Sequence, residues 1–266
     1  MGILNVTPDS FADGGKYSSV DIAVAHAIKM RDDGADIIDV GGESTRPDAQ
    51  AVDLETERQR IMPIVDRLVA LNICVSVDTQ KPALMAEALQ AGASIINDVD
   101  ALQSDGAIEA LCRSNAGVCL MHRKGSPATM QLAPQYADVV DEVTAFLLAR
   151  VGACEQAGIA ANRIVIDPGF GFAKTVEHNF QLLAKLGTII DIVGKPLLSG
   201  ISRKSSLGAI TGRAAGERMP ASIAAALLAV SEGATIVRVH DVAETVDALK
   251  VWTAVQTLGF GRSAPS

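Results

Sequence analysis

Eight short apolar runs, spread along the whole chain, each end on a polar or ionisable residue. Buried parallel strands read as continuous hydrophobic runs, because helices cover both faces of the sheet. A (β/α)8 barrel places its chemistry at the carboxyl ends of such strands. The polar ends of the eight runs are Asn5, Asp39, Asp78, Asn97 with Asp98, His122, Asp167, Ser202 to Lys204, and Arg238 with His240. The pattern is typical of a barrel enzyme.

Helical patterns fill the segments between the apolar runs. The sequence predicts helices over 20–33, 53–71, 81–91, 105–114, 136–157, 176–186, 204–211 with 217–232, and 241–257. No linker rich in Pro, Gly or Ser divides the 266 residues, and a single barrel needs about 250. We therefore predict an α/β fold, one (β/α)8 TIM-barrel domain over 1–266 with long loops after strands 1 and 2. A six-stranded doubly wound sheet is the alternative.

A weak internal repeat supports the barrel. The segments 33–40, 91–99 and 232–239 each contain a Gly-Ala pair followed by a short apolar run. Glycine accepts the left-handed conformation that often ends a helix, and the next strand would begin two residues later. Such tight helix-to-strand turns belong at the bottom of an α/β fold, so the longer segments that follow the strands form the top.

Composition excludes several classes of protein. Apolar residues make up 48% and charged residues 20%, which predicts a packed core, and aromatics at 3% make that core aliphatic. The net charge of −8 argues against a general nucleic-acid or anionic-membrane surface. The four cysteines form no Cys-x-x-Cys pair, so we expect neither zinc nor disulfides. The apolar stretch 223–230 is far shorter than the ~18 residues of a membrane span, and we expect a cytoplasmic protein.

Three loops have the composition of ligand-binding segments. The first, 5–15, is long and polar and contains a lone aromatic residue, Phe11. The second, 41–47, combines two glycines with hydroxyls and Arg46, which can all donate to phosphate oxygens. The third, 167–175, alternates glycines with two phenylalanines and lacks the spacing of a phosphate-binding P-loop. Turn-forming connectors remain the alternative for the first two.

Polar residues at the ends of strands 3, 4 and 6 should meet in the mouth of the barrel. Asp78, Asn97 and Asp167 occupy these places, although an Asp there can also cap the following helix. Together they suit a heterocycle with an amino-pyrimidinone edge, because a carboxylate accepts two N–H donors from such an edge. Arg238 and His240 are two residues apart at the end of strand 8, so both should point into the mouth.

Taken together, these residues resemble the dihydropteroate synthase family of the folate pathway over almost the whole chain. The matching segments are 2–11, 41–47, 76–79, 96–99, 121–122, 167–175, 200–205 and 238–242. The resemblance implies condensation of 6-hydroxymethyl-7,8-dihydropterin diphosphate with 4-aminobenzoate, through a dissociative, carbocation-like substitution that releases diphosphate. It also implies Mg²⁺ as cofactor and a homodimer formed through the late helices.

The resemblance implies roles for individual residues. It places the pterin against Asp78, Asn97, Asp167, Lys204 and Arg238. It places the diphosphate against Asn5, Thr45, Arg46 and His240, with Asn5 as a ligand to Mg²⁺. The pocket for 4-aminobenzoate, where sulfonamides would compete, is formed by Phe11, Thr45, Pro47, Phe172 and Ser205. The residues expected to act in catalysis are Asn5, Arg46, Asp78, Lys204 and His240, and no covalent intermediate is expected.

Four positions depart from the usual pattern of that family. Asp48 and Ala173 stand where Gly is common, and Arg123 with Lys124 replaces a more usual Met-Gln pair, which adds positive charge near the predicted pterin edge. Two other functions remain open. A barrel methyltransferase acting on a methyl-folate should lack the anion site of Arg46 and His240. A non-catalytic pterin-binding paralogue should have lost Asn5, Arg46 or His240, and all three are present.

Overall fold

Strands and helices alternate along the chain in a computed structural model that describes residues 1–6, 19–43, 52–125 and 134–258. The strands are β1 (Gly2–Asn5), β2 (Ile38–Gly41), β3 (Val75–Asp78), β4 (Ile95–Asp98), β5 (Gly117–Met121), β6 (Ile164–Asp167), β7 (Leu198–Ser199) and β8 (Ile236–Val237). The helices are α1 (Ser19–Asp32), α2 (Leu54–Ala70), α3 (Pro82–Ala91), α4 (Ala107–Cys112), α5 (Val139–Gln156), α6 (Val176–Leu183), α7 (Leu186–Val193), α8 (Ser205–Thr211), α9 (Met219–Ser231) and α10 (Val242–Thr257).

The eight strands close into a barrel. Strands β1 to β6 pair in sequence order, all parallel, and β7 pairs with β8. Parallel bridges join Ile166 to Leu197 and Gly2 to Val239, and the Ile3 N–H donates to the Val239 carbonyl at 3.0 Å. The predicted (β/α)8 barrel is confirmed, and the doubly wound alternative is wrong. The loops predicted to be long after strands 1 and 2 lie largely in 7–18 and 44–51, outside the described residues.

One turn recurs at the bottom of the barrel. After α1, Gly34 has a φ of +103°. Its N–H donates to the backbone carbonyl of Arg31, and the Ala35 N–H donates to the backbone carbonyl of Met30. The same pair of hydrogen bonds follows α2, α3, α5 and α9. This is the Schellman arrangement, which satisfies the last helical carbonyls and reverses the chain into the next strand. The repeat seen in the sequence is therefore the signature of the barrel floor.

The helices begin and end within three residues of their predicted limits, with one exception. Asp53 caps α2 as expected, because its carboxylate accepts the Thr56 N–H at 2.8 Å. Helix α7, Leu186–Val193, was not predicted. Its β-branched residues have low intrinsic helix propensity, and the helix is stabilised by burial of Leu186, Ile189 and Val193 against the barrel.

The hydrophobic core lies between the barrel wall and the helices. It consists mainly of Leu, Ile, Val and Ala side chains, and Phe170 is its largest fully buried member. This confirms the aliphatic core expected from the composition. Among the described helices, none combines the length and the apolar character needed to cross a membrane.

Ala173, one of the departures from the family pattern, has a strained backbone. Its φ is +51°, in the left-handed region that disfavours residues with a Cβ by about 1–2 kcal/mol. We expect Ala173→Gly to raise the free energy of unfolding by about 0.5–1 kcal/mol, since glycine's extra freedom in the unfolded chain offsets part of the relief. Urea denaturation measures the change. As a control, Ala184→Gly, at φ −73°, should lower stability instead.

Candidate active site

An arginine between two carboxylates lies inside the barrel near its mouth. Arg238 follows β8, and its Nε donates to Asp39 Oδ2 at 2.6 Å while its Nη2 donates to Asp78 Oδ2 at 3.0 Å. Burial disfavours the charged guanidinium, but the two carboxylates outweigh that effect and raise the pKa of Arg238. Burial also raises the pKa of Asp78 to about 7, although Arg238 opposes the shift. In this group one buried guanidinium faces two carboxylates.

Strand register explains how these residues meet. Asp78 ends β3, and its partners are Gly41 on β2 and Asn97 on β4, so Asp39 lies one layer deeper than Asp78. The Asn97 Nδ2 donates to Asp39 Oδ2 at 3.2 Å. Asp39 is completely buried, and its second oxygen, Oδ1, accepts no hydrogen bond from the described residues. Asp39 therefore supports both Asn97 and Arg238 from below.

Asp167 ends β6 on another side of the same opening. Its Oδ1 accepts the Gly169 N–H at 2.7 Å, which fixes the carboxylate at the start of the following loop. Burial raises the pKa of Asp167, while Lys204, Lys174 and Arg238 act in the opposite direction. The Lys204 Nζ lies 4.3 Å from the centre of the Phe172 ring. The mouth thus combines carboxylates and cations with one aromatic face.

A buried lysine, Lys174, lies near Asp167. Lys174 is 4% exposed, and its Nζ donates to His122 Nδ1 at 2.9 Å and to the Phe172 carbonyl at 3.0 Å. Burial lowers the pKa of Lys174 to about 7, and burial followed by the charge of Lys174 lowers the pKa of His122 to about 3. His122 is therefore a neutral acceptor, and Lys174 is a cation that titrates near neutrality.

Because the pKa of Lys174 is low, the free energy of unfolding should change with pH above neutrality. In the unfolded chain Lys174 keeps its proton up to about pH 10.5, whereas in the folded protein it loses the proton above about 7. Between these values the unfolded state binds more protons, so stability from this residue rises with pH, by up to about 1.4 kcal/mol per unit. We expect Lys174→Met to remove this rise from urea-denaturation curves at pH 7 to 9. Lys250→Met, at a 72%-exposed side chain, should leave it intact.

His240 and Ser202 form a pair at the ends of β8 and β7. The Ser202 hydroxyl accepts the backbone N–H of His240 at 3.3 Å and lies 3.0 Å from its Nδ1, to which it can donate. Donation to Nδ1 leaves the proton on Nε2, which then faces away from Ser202. Burial, reinforced by Arg203, lowers the pKa of His240 to about 4. His240 is thus a neutral N–H donor at pH 7.

The segment after β2 is anchored by a buried ion cluster. Lys81 Nζ donates to Glu57 at 2.5 Å and also to Glu43, the last residue described before 44–51. Glu57 is 1% exposed, and Arg60 donates to the Gly42 carbonyl at 2.8 Å. These contacts fix Gly42 and Glu43, the last described residues before 44–51.

Arg123 and Lys124, the two cations that depart from the family pattern, both form salt bridges. Arg123 Nη2 donates to Asp100 at 2.8 Å, so its charge is neutralised inside the neighbouring loop. Lys124 Nζ donates to Glu142 at 3.0 Å and lies 4.5 Å from the centre of the Tyr136 ring. The extra positive charge expected near the pterin edge is therefore paired with carboxylates of the barrel rim.

Comparison with known proteins identifies the family. Residues 1–240 match the family model of pterin binding enzymes. The dihydropteroate synthase of Escherichia coli K12 is 49% identical over 252 residues, which are 94% of this chain and 89% of that protein. The structure of the Xanthomonas albilineans synthase with 4-aminobenzoic acid matches with a TM-score of 0.91. Its sequence is 51% identical to this chain, and the match covers 96% of this chain and 92% of that chain. The chain belongs to the dihydropteroate synthase family.

The same X. albilineans synthase has also been solved with 7,8-dihydropteroate, and that structure matches with a TM-score of 0.88 and 49% identity over 96% of this chain and 92% of that chain. The dihydropteroate synthase family consists of transferases of folate biosynthesis, so this chain is an enzyme of that kind. The assignment favours the synthase over the methyl-folate methyltransferase.

Most of the predicted site lies within the described residues. The described residues bring together Asp78, Asn97 and Arg238, and Lys204 with Phe172. Asn5, at the end of β1, and Ser205, at the start of α8, are both exposed at the carboxyl end of the barrel. The predicted site residues Phe11, Thr45, Arg46 and Pro47, and the departure Asp48, lie outside the described residues.

Sequence reasoning assigned no role to four residues that the structure places in the site. Asp39 and His122 were recognised only as strand ends, and Lys174 and Ser202 only as members of motifs. The alternation of Asp39 with Gly41 on one strand could have placed Asp39 inside the barrel. Nothing local predicts that Lys174 bonds to His122, 52 residues away.

Proposed function

We propose that this chain condenses 6-hydroxymethyl-7,8-dihydropterin diphosphate with 4-aminobenzoate to give 7,8-dihydropteroate and diphosphate. The observation that carries the proposal is the convergence of Asp78, Asn97 and Arg238 in the mouth of the barrel. The relatives solved with 4-aminobenzoic acid and with 7,8-dihydropteroate support the same reaction.

The mouth suits a pterin ring chemically. Asp167 and Asp78 offer carboxylate oxygens to the N–H donors of the amino-pyrimidinone edge, and Asn97 contributes an amide. Lys204 supplies a cation on the same side as Asp167. Two hydrogen bonds fix the plane of the Arg238 guanidinium, which can then stack on the ring as a planar cation.

The substitution proceeds by a dissociative route in this proposal. Diphosphate leaves from a CH2 attached to an electron-rich ring, so the bond to oxygen breaks ahead of C–N bond formation and the carbon gains cationic character. The carboxylates of Asp78 and Asp167 tolerate positive charge on the ring. The aniline nitrogen then attacks the carbon and loses a proton. Since that nitrogen is a weak nucleophile, its positioning contributes more than its activation.

The departing diphosphate would be held by Asn5, Thr45, Arg46 and His240. His240 takes part as a neutral donor from Nε2, because Ser202 can donate to its Nδ1. Lys81 holds Glu43, the described residue that stands three positions before Arg46 in the sequence.

Mg²⁺ fits this arrangement as a cofactor bound with the substrate. Within the described part of the chain, no group of three or more His, Cys, Asp or Glu side chains could hold a metal ion. Mg²⁺ commonly takes one or two protein oxygens and completes its shell with phosphate oxygens and water. The exposed Asn5 amide would supply that oxygen, and the ion would neutralise charge on the diphosphate.

The pocket for 4-aminobenzoate would be formed by Phe11, Thr45, Pro47, Phe172 and Ser205. Phe172 is 7% exposed, and Ser205 is exposed at the N-terminus of α8, where a hydroxyl and backbone N–H groups can receive a carboxylate. Sulfonamides share the aniline ring and the acidic group of 4-aminobenzoate, so they would compete for the same place.

We also propose a homodimer through the late helices. Leu228 on α9 and Val251 on α10 are 55% and 67% exposed, and Leu258 after α10 is 73% exposed. Helices α9 and α10 pack side by side, so these side chains lie on adjacent elements. Sedimentation at micromolar concentration tests the assembly.

A cytoplasmic location remains a prediction.

A diphosphate-release assay tests the proposed reaction. Release should require the pterin diphosphate, 4-aminobenzoate and Mg²⁺ together, and the organic product should have the mass of 7,8-dihydropteroate. Pterin binding without turnover in the presence of Mg²⁺ would instead favour a non-catalytic pterin-binding paralogue. Diphosphate release at the same rate without 4-aminobenzoate would point to hydrolysis of the pterin diphosphate.

A further inference from the structure

Asp39 lies too deep to touch a ligand, yet it contacts two of the residues that face the mouth. The side chain is completely buried, one layer below Asp78. Its Oδ2 accepts from Arg238 Nε at 2.6 Å and from Asn97 Nδ2 at 3.2 Å. The contact with Arg238 joins β2 to the end of β8, 199 residues away, so it exists only when the barrel is closed.

The chemistry of a carboxylate decides which way the Asn97 amide points. A carboxylate paired with arginine can only accept hydrogen bonds, so the atom of Asn97 that faces Asp39 has to be the nitrogen. The oxygen, Oδ1, is then the end of the amide that remains for a ligand. An amide held in this way accepts from a ligand N–H and repels a ligand carbonyl at the same point.

We propose that Asp39 is a positioning residue that sets the specificity of the site for a 2-amino-pyrimidinone ring. It does so by fixing the Asn97 amide with its oxygen toward the ring and by holding the Arg238 guanidinium in place. The inference rests on the proposed function, since it concerns how the same site recognises its pterin. A ring with a carbonyl in place of the 2-amino group presents an acceptor to Asn97 and is rejected.

Two ring systems and two variants test the proposal. Calorimetry compares 6-hydroxymethylpterin with 6-hydroxymethyllumazine, which carries a 2-carbonyl. Wild-type protein should bind the pterin at least about 30-fold more tightly. Asp39→Asn should reduce that ratio at least about tenfold, because its own amide can donate and allows Asn97 to turn. Steady-state kinetics should show a higher KM for the pterin diphosphate, with the KM for 4-aminobenzoate within about twofold of wild type.

Asp98→Asn is the matched control. Asp98 is also completely buried on β4, but among the described residues its carboxylate accepts from backbone N–H groups alone, those of Asp100, at 2.8 Å, and Leu102, at 2.7 Å. The control should lose stability and keep the wild-type preference for the pterin. Equal preference in folded Asp39→Asn and wild type would overturn the proposal. Wild-type protein that binds neither ring would instead count against the proposed function.

Nuclear magnetic resonance of the wild-type protein keeps the proposal testable if Asp39→Asn does not fold. On titration with 6-hydroxymethylpterin, the Asn97 side-chain carbon Cγ should shift, because its oxygen accepts from the ligand. The side-chain NH2 signals should change less, because Asp39 already binds that group. A larger change at the NH2 group than at Cγ would show the amide in the opposite orientation and would exclude this role for Asp39.

Discussion

Replacing Arg238 with Leu should lower the free energy of unfolding by about 3 kcal/mol and abolish pterin binding. Arg238 is the countercharge of Asp39, which is completely buried, and of Asp78, whose side chain is 14% exposed. Without the guanidinium these two carboxylates share a barrel interior with no charge between them. The pKa of Asp78, already raised to about 7 by burial, should rise further. Urea denaturation and calorimetry with 6-hydroxymethylpterin measure the two effects.

Arg58 offers a matched control on the outside of the barrel. It also lies between two carboxylates, donating to Glu87 at 2.6 and 2.7 Å and to Glu55, but its side chain is 32% exposed. Arg58→Leu should therefore destabilise the protein much less than Arg238→Leu, since exposed ion pairs contribute little. Equal losses in the two variants would show that the Arg238 pair behaves as a surface pair.

Asp167→Asn should lower kcat/KM for the pterin diphosphate about 1,000-fold, which corresponds to about 4 kcal/mol. The amide oxygen can still accept the Gly169 N–H, so the start of the loop should keep its shape. The other end of the side chain becomes an NH2 group, which opposes the N–H donors of the ring. The variant also removes the negative charge that faces Lys204 and Lys174. Steady-state kinetics measures the loss.

Asp100→Asn is a suitable comparison for that variant. Asp100 accepts from Arg123 at 2.8 Å in the loop after β4 and is assigned no part in binding. The kcat/KM of the Asp100→Asn variant for the pterin diphosphate should stay within about threefold of wild type. If Asp167→Asn and Asp100→Asn have similar kinetics while both remain folded, Asp167 does not hold the ring.

The sequence predicted the barrel and much of its mouth because both are encoded locally. Asp78, Asn97 and Asp167 are recognisable as polar residues at or near the ends of apolar runs, and parallel strands align those ends. The glycines of the floor are equally local, since each turn needs only one left-handed residue after a helix. These features require no knowledge of which strands are neighbours.

The remaining features depend on partners that only the closed barrel brings together. Asp39 stands two residues before Gly41, and its role appears only when the register places it below Asp78 and beside Arg238. The neutral state of His240 likewise depends on its burial and on Arg203 from another strand end. Helix α7 was missed for a different reason, because burial of Ile189 and Val193 overrides their weak helical propensity.

The polar layer under the mouth limits how this barrel can be made more heat-resistant. Asp39 and its register partner Ser76 each keep a buried oxygen without a hydrogen bond from the described residues, which lowers stability because such an atom has lost its contact with water. Replacing Asp39 alone by Leu would leave the Arg238 guanidinium with one countercharge fewer, so a higher melting temperature would require replacing Arg238 and Asp78 as well, which removes the groups that face the ring. Stabilising substitutions should therefore be sought on the outer helices and at the bottom of the barrel, where a gain in stability does not disturb the residues of the site.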